Sequence, residues 1–117
     1  MTINVEAIAR VCHEAHRAWC MATGDYSHVG WDDAPEWQRS ACIAGVEFVL
    51  ANPAFTEREQ HAQWSEEKRL EGWVYGPERN SDRKTHPCLV EFEKMPAESL
   101  KKNRLFRIIV LALSQTP

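Results

Sequence analysis

Apolar residues recur every three or four positions in several stretches of the chain, a spacing typical of amphipathic helices. The first stretch predicts a helix over Val5–Ala22. Asn4 stands in the position of an N-cap, and Gly24 follows where a helix commonly ends. The predicted inner face of this helix consists of Ile8, Val11, Cys12, Ala15, Trp19 and Ala22.

A second helix is predicted to begin at Asp33, because Glu36 completes an acidic form of the capping box three residues later. It is expected to stop before Pro53, since proline disfavours helical geometry in the residue that precedes it. Its predicted inner face consists of Trp37, Ala41, Ala44 and Phe48. Trp19 and Trp37 are therefore both expected in the core.

The second half of the chain predicts two more helices. Thr56, with Glu59 in the capping-box position, starts a third helix that ends near Gly72 and is unusually polar. A fourth helix is predicted over residues 103–114, after a short helical turn at residues 96–100. Its apolar stripe consists of Leu105, Phe106, Ile109, Val110 and Leu113.

Two short extended runs lie between the third and fourth helices, W-V-Y at residues 73–75 and C-L-V at residues 88–90. A polar turn at residues 77–85 joins them, so they are predicted to pair as a two-stranded hairpin. Residues 25–32 are expected to form an irregular, aromatic-rich loop. The predicted fold class is therefore mostly α, with about four helices and a short hairpin, in a single domain over residues 1–117.

Composition narrows the functional classes. The net charge of −3 gives no electrostatic argument for binding a nucleic-acid polymer or an anionic membrane. No apolar run approaches the roughly 20 residues of a transmembrane helix, and the N-terminus lacks the features of a signal peptide. The four cysteines include no C-x-x-C pair, which predicts free thiols in a reducing cytoplasm rather than disulfides or zinc ligands.

The segment G-W-V-Y-G-P at residues 72–77 is the clearest candidate binding feature. Glycine permits tight turns and proline fixes the backbone around an indole and a phenol. Trp73 is therefore either a packing wedge or an exposed stacking platform, with Tyr75 beside it. Trp31, next to two aspartates, leaves the same two alternatives open. An exposed indole contributes about 1–3 kcal/mol of stacking per base, with little demand on base identity.

His61, Trp64 and Lys68 have the spacing that places three side chains on one helical face. Trp64 either anchors this polar helix or lines a cleft under Trp73. Lys68 and Lys84 are candidates to meet phosphates through charge-assisted hydrogen bonds, the alternative being a solvated surface. Arg79 and Arg83 lie in the same basic turn as Lys84.

The remaining histidines and acids give no signature of catalysis. His61 and His86 either satisfy buried backbone groups or donate to a ligand. The pair His13 and His16 is three apart, whereas the zinc-protease helix needs four, and no third ligand is evident, so no metal is expected. There is no nucleophile motif, Walker sequence or dinucleotide fingerprint, and no cofactor is implied.

The motifs H-x-x-W-x-x-x-K, G-W-x-Y-G-P and H-P-C-L-V occur in this order and resemble the RyR repeat of ryanodine receptors. Single copies of that repeat also occur in short bacterial and phage proteins. The resemblance extends to I-A-R-V-C-H-E at residues 8–14, W-D-x-A-P-x-W-Q at residues 31–38, and L-F-x-x-I-V at residues 105–110, so it covers nearly the whole chain. The chain departs from the microbial pattern at His16, Trp19 and Glu91-Phe92.

The resemblance carries implications about ligand and assembly. Ryanodine-receptor repeats occur in tandem, and nucleotides lie between them with adenine against the tryptophan of G-W. By this resemblance Trp73 is the base platform, and Tyr75, Lys84 and His86 share its surface. A homodimer of a single-copy chain could recreate the pair. By the same resemblance, short microbial versions sense or sequester nucleotide-derived signals in antiviral immunity, or act in phages as counters to it.

The leading hypothesis is therefore a non-enzymatic, cytoplasmic module that binds an adenine-containing or other nucleotide-derived small molecule. One alternative is a protein-interaction module whose aromatic loops form a docking surface, which a buried Trp73 without a cleft would favour. A weaker alternative is a small hydrolase of a nucleotide signal, which a metal or a carboxylate pair in the pocket would favour.

Overall fold

The computed structural model describes residues 3–115 and confirms the mostly α fold class. Four helices carry the fold: α1 (Val5–Ala22), α2 (Glu36–Ala51), α3 (Glu57–Leu70) and α4 (Ala97–Ser114). Two short strands, β1 (Val74–Tyr75) and β2 (Thr85–His86), lie between α3 and α4. Two 3₁₀ turns, Trp31–Asp33 and Phe92–Lys94, precede α2 and α4.

The contacts divide the chain into two compact units. The first consists of residues up to Pro53 together with those from Arg104 onward, and the second is Ala54–Asn103. The prediction of a single domain over residues 1–117 stays a prediction.

The first unit packs α1, α2 and the later part of α4 around an apolar core. Asn4 caps α1 as predicted, because its Oδ1 accepts a hydrogen bond from the amide of Ala7 at 3.0 Å. Gly24, at φ +96°, follows the C-cap residue and turns the chain back, so that the amide of Asp25 donates to the carbonyl of Cys20. The buried residues of this core are Ile8, Ala9, Cys12, Trp31, Val46, Val49 and Val110.

The predicted start of α2 is wrong. Ala34 has ψ 144°, because the residue before a proline is pushed out of helical geometry, and α2 therefore begins only after Pro35. Asp33 belongs to the preceding 3₁₀ turn, and no side chain caps α2.

The predicted inner face of α2 is also wrong. Trp37 is 64% exposed, while Val46 and Val49 are fully buried. This helix is apolar on more than one side, so the spacing of its hydrophobic residues does not select a face. Packing against α1 selects the face with the two valines. Trp19, the other tryptophan expected in the core, is half-buried.

The second unit begins with the polar helix α3, whose predicted capping box is present. Thr56 Oγ1 accepts from the amide of Glu59, and the Glu59 carboxylate accepts from the amide of Thr56. The fourth helix is longer than predicted, because the expected turn at residues 96–100 and the helix after it form one continuous α4.

The predicted hairpin is replaced by a parallel pair. Val74 pairs with Thr85 and Tyr75 with His86, whereas residues 88–90 are not a strand. The loop after β1 supplies the reason, since Asn80 forms an antiparallel bridge with Thr85. The chain therefore reverses twice between β1 and β2, and two reversals restore the original direction.

Among residues 3–115, no helix combines the length and the apolar character that are needed to cross a membrane. Within residues 3–115, which contain all four cysteines, no two of them are joined by a disulfide. Burial raises the pKa of the Cys12 thiol to about 12 and also raises the pKa of Cys42.

Candidate functional site

The end of α3 determines where Trp73 lies. Gly72, at φ +92°, follows the C-cap residue of α3, and two hydrogen bonds close this helix end. The amide of Trp73 donates to the carbonyl of Lys68, and the amide of Gly72 donates to the carbonyl of Arg69. This geometry brings the residue after the glycine back against the last turn of the helix. The ammonium of Lys68 consequently lies 4.8 Å from the centroid of the Trp73 ring.

Five aromatic rings, of which Trp73 is the first, form a row within the second unit. The centroid distances are 6.3 Å from Trp73 to His86, 4.9 Å from His86 to Trp64, 5.8 Å from Trp64 to His61 and 6.0 Å from His61 to Phe92. We call these five residues the ring row. Edge-to-face and offset contacts at such distances are favourable, so the ring row joins α3 to the segment that contains β2.

Cations cover both ends of the ring row. Lys68 and Arg79 approach the Trp73 ring at 4.8 and 5.8 Å, and Arg58 approaches the Phe92 ring at 5.0 Å. Trp73 itself is only 9% exposed. Of the two alternatives for this residue, the structure therefore shows the packed indole, with two cations over it in place of solvent.

His86 is held in one tautomer. Its Nδ1 accepts a hydrogen bond from the amide of Cys88 at 3.0 Å, so the proton of the neutral ring lies on Nε2, which is a donor. Burial lowers the pKa of His86, and the nearby charges of Arg79 and Lys68 lower it further. The ring is therefore neutral at pH 7 within a positive local field.

His61 and Trp64 serve the packing of α3. The Nε2 of His61 lies 2.8 Å from the carbonyl of Val90, to which it donates, so this histidine satisfies a backbone group. Trp64 is half-buried between the rings of His61 and His86, which corresponds to the anchoring alternative.

Lys84 has a structural role that its position in the sequence does not indicate. Its backbone has φ +54°, and its Nζ donates to the carbonyl of Glu71 at 2.7 Å. Glu71 is the C-cap residue of α3, so Lys84 satisfies one of the carbonyls that the helix end leaves unpaired. The assignment of Lys84 as a phosphate ligand stays a prediction, and Arg79 is the cation of this turn that lies near the Trp73 ring.

The remaining two predicted site residues differ in exposure. Tyr75 is 57% exposed and lies next to Val74, which is 58% exposed. Trp31 is 2% exposed in the core of the first unit, where its ring meets the edge of His13 at 5.7 Å. Its assignment to the ligand site is therefore replaced by a core assignment.

Gly76 permits the close approach of β1 and β2. A Cβ at this position would lie 2.6 Å from the Cβ of Thr85, a distance that no real pair of such atoms adopts. The second glycine of G-W-V-Y-G-P is thus required by the parallel pairing.

Residues 53–110, about half of the chain, match the family described as RyR domain. The chain belongs to the RyR domain family. The RyR domain match contains G-W-V-Y-G-P, H-P-C-L-V, the whole ring row and all three cations. The resembling segments at residues 8–14 and 31–38 lie outside it.

The sequence pattern does not indicate the two residues at the far end of the RyR domain's ring row. Phe92 follows the H-P-C-L-V motif by two positions, and Arg58 lies in the first turn of α3. Only the fold brings them together, since 34 positions separate them along the chain.

A shallow groove of about 470 Å³ also runs along α3. Its lining contains none of the predicted site residues and consists of Phe55, Glu59, Ala62, Gln63, Glu66, Glu67 and Leu70.

Proposed function

We propose that this RyR domain binds an anionic, nucleotide-derived small molecule at the Trp73 end of the ring row, without turning it over. The observation that carries the proposal is the pair of cations, Lys68 and Arg79, over a buried indole. Beside them lies a neutral His86 whose Nε2 is a donor. The adenine-containing class is favoured by the resemblance to ryanodine-receptor repeats, and the free thiols are consistent with a cytoplasmic setting.

Binding exchanges one partner of the indole for another. Arg79 is exposed and belongs to the loop between β1 and β2, so its guanidinium leaves the Trp73 ring at little cost. A cation over an aromatic ring contributes about 0.5–1 kcal/mol at exposed sites. A stacked base contributes about 1–3 kcal/mol, so a planar base replaces the guanidinium favourably.

The displaced arginine then meets the phosphate. Guanidinium and phosphate form paired hydrogen bonds of matching geometry, and Lys68 adds a second charge. Lys68 already has a long ion pair with Glu71, at 3.9 Å, which a phosphate outcompetes readily. His86 donates through Nε2, and the exposed ring of Tyr75 borders the ligand.

A thermal-shift screen with full-length protein tests the proposal. The panel contains adenosine mono-, di- and triphosphates, ADP-ribose isomers and cyclic oligonucleotides. A ligand at a hundred times its Kd stabilises the folded state by about 2.7 kcal/mol, which is readily measured. Absence of any shift across the panel counts against nucleotide binding.

Matched arginine variants then locate the site. Arg79→Gln and Arg83→Gln each remove one guanidinium from the same exposed turn, but only Arg79 lies over Trp73. We expect Arg79→Gln and Lys68→Gln to weaken binding about tenfold or more by calorimetry, most strongly at low salt, and Arg83→Gln to change it little. Equal losses for the two arginine variants would indicate non-specific charge attraction.

Chromatography of each bound nucleotide should show it intact, and cleavage above background would favour a hydrolase instead.

A second candidate is a protein-docking module, and the burial of Trp73 favours it. The exposed apolar side chains next to the ring row are Val74 and Tyr75, and Leu70 at the end of α3 is 82% exposed. If Tyr75→Ala abolishes a protein interaction while every nucleotide fails in the thermal-shift screen, this candidate takes the place of ligand binding.

A further inference from the structure

Four side chains with metal-binding atoms meet where α1 ends, in the first unit. His16 and Cys20 are four residues apart on α1 and so lie on one face of the helix. Asp25 and His28 come from the loop that follows. The reversal at Gly24 and the hydrogen bond from the amide of Asp25 to the carbonyl of Cys20 bring this loop back over the helix end.

Two of the distances between these atoms are close to edges of the tetrahedron that zinc ligands form. Cys20 Sγ lies 3.7 Å from His16 Nε2, and His28 Nε2 lies 3.3 Å from Asp25 Oδ2. The ligand atoms of Cys20, Asp25 and His28 all lie within 4.8 Å of one another, and the two histidine rings are 5.2 Å apart. Tetrahedral zinc with ordinary bond lengths separates sulfur from nitrogen by roughly 3.6 Å and nitrogen from oxygen by roughly 3.4 Å.

We propose that His16, Cys20, Asp25 and His28 form a zinc site. One thiolate, two imidazoles and one carboxylate are a donor set that suits Zn²⁺ and does not suit Ca²⁺ or Mg²⁺, which prefer oxygen ligands. The charges balance, since a thiolate and a carboxylate offset the two positive charges of the ion. Binding releases the thiol proton of Cys20.

Neighbouring groups hold the loop ligands in place. The amide and the hydroxyl of Ser27 both donate to Asp25 Oδ1, at 2.9 and 2.6 Å, which leaves Oδ2 directed at His28. The guanidinium of Arg17 donates to the carbonyl of His28 at 3.3 Å. Such outer contacts orient metal ligands in known sites. Cys20 is 4% exposed, which shelters its sulfur.

This site differs from the histidine pair that the sequence brings to attention. His13 is turned away from it, because its Nε2 lies 2.8 Å from the carbonyl of Val29. His16 instead meets Cys20, one helical turn further along. The sequence expectation of no metal rested on the absence of a third ligand, and the loop after α1 supplies two.

Cobalt and zinc binding to the reduced full chain test the proposal. Titration with Co²⁺ should reach one equivalent and give the thiolate-to-cobalt absorption band together with the intense visible bands of a tetrahedral ion. Zinc should displace the cobalt, remain with the protein through gel filtration at one equivalent, and raise Tm. A chelator should reverse the rise in Tm.

Matched variants assign the ligands. Cys20→Ser should abolish the thiolate band and His28→Gln should weaken zinc binding at least tenfold, while Cys42→Ser and Asp33→Asn should leave both unchanged. Circular dichroism of each metal-free variant checks its fold, and His28→Gln alters a half-buried loop residue that the core does not require. A wild-type chain that gives no tetrahedral cobalt spectrum, or a Cys20→Ser variant with the wild-type spectrum, would overturn the proposal.

Discussion

At the scale of single residues, Trp37 has the opposite of its predicted exposure, and Trp73 takes the packed one of its two alternatives. Trp73 follows a glycine in a polar neighbourhood and is 9% exposed, whereas Trp37 lies on an apolar helix and is 64% exposed. The first is enclosed by Lys68, Arg79 and His86, which contact its ring. Its stability contribution is therefore expected to be large.

Replacing each indole by alanine separates these roles. We expect Trp73→Ala to lower the free energy of unfolding by about 3–5 kcal/mol, because the packed ring leaves a cavity. Trp37→Ala is the matched control, with an expected change within about 0.5 kcal/mol, since its ring is mostly in solvent. Denaturant titration measures both, and similar losses for the two variants would contradict the assignment.

The pKa of His86 leads to a prediction about pH. Because the folded-state pKa lies below the ordinary value of 6.5, the unfolded chain binds the proton more tightly than the folded protein does. The stability that neutral His86 contributes is complete above pH 6.5 and is lost as the pH falls through the folded-state pKa.

Thermal melts between pH 8 and pH 5 check this behaviour. We expect Tm of the wild type to fall more steeply below about pH 6.5 than Tm of His86→Asn, whose Oδ1 can still accept from the amide of Cys88 but does not titrate. The other histidines are common to both proteins and cancel in the comparison. Parallel curves would show that His86 is not the titrating group.

At the scale of secondary structure, the two predicted capping boxes had opposite outcomes. Thr56 and Glu59 exchange both hydrogen bonds at the start of α3. Asp33 and Glu36 have the same spacing, but Pro35 lies between them and forces Ala34 out of helical geometry. A capping motif therefore acts only where the residues between its members can adopt a helical turn.

Alanine substitution measures this difference. Thr56→Ala should cost about 1 kcal/mol of unfolding free energy, because it leaves the amide of Glu59 without its partner. Asp33→Ala should change stability by no more than about 0.5 kcal/mol, since its side chain caps no helix. A comparable loss for Asp33→Ala would show that the 3₁₀ turn before α2 depends on this carboxylate.

At the scale of the whole molecule, the chain has one match to the RyR domain family, whereas the repeats of ryanodine receptors occur in tandem. We expect the chain to form a homodimer with two-fold symmetry, either alone or with a bound nucleotide, because a second copy recreates the paired arrangement of tandem repeats. Light scattering should then give twice the 13.5 kDa mass of the chain.

The two tyrosines of the chain provide a matched pair for this prediction. Tyr75 is 57% exposed beside the ring row, and Tyr26 is 75% exposed in the first unit. If the dimer places the two Trp73 regions toward a shared ligand, Tyr75→Arg should shift the mass to that of a monomer and Tyr26→Arg should not. A monomer under all conditions would exclude the dimer.

Sequence alone determined the features that depend on neighbours along the chain. The bounds of α1, its Asn4 cap, the capping box at Thr56 and the glycine ends of α1 and α3 all follow from interactions within about five residues. The RyR resemblance belongs here as well, because G-W-V-Y-G-P and H-P-C-L-V are contiguous motifs.

Only the tertiary structure decided what depends on distant partners. Packing against α1 selected the buried face of α2, and two chain reversals made β1 and β2 parallel. Lys84 became a helix cap because α3 ends beside it, and the cluster of Cys20 with Asp25 and His28 formed because Gly24 turns the loop back. The chemistry of each hydrophobic or charged side chain is known from the sequence, whereas the residue that it contacts is determined by the fold.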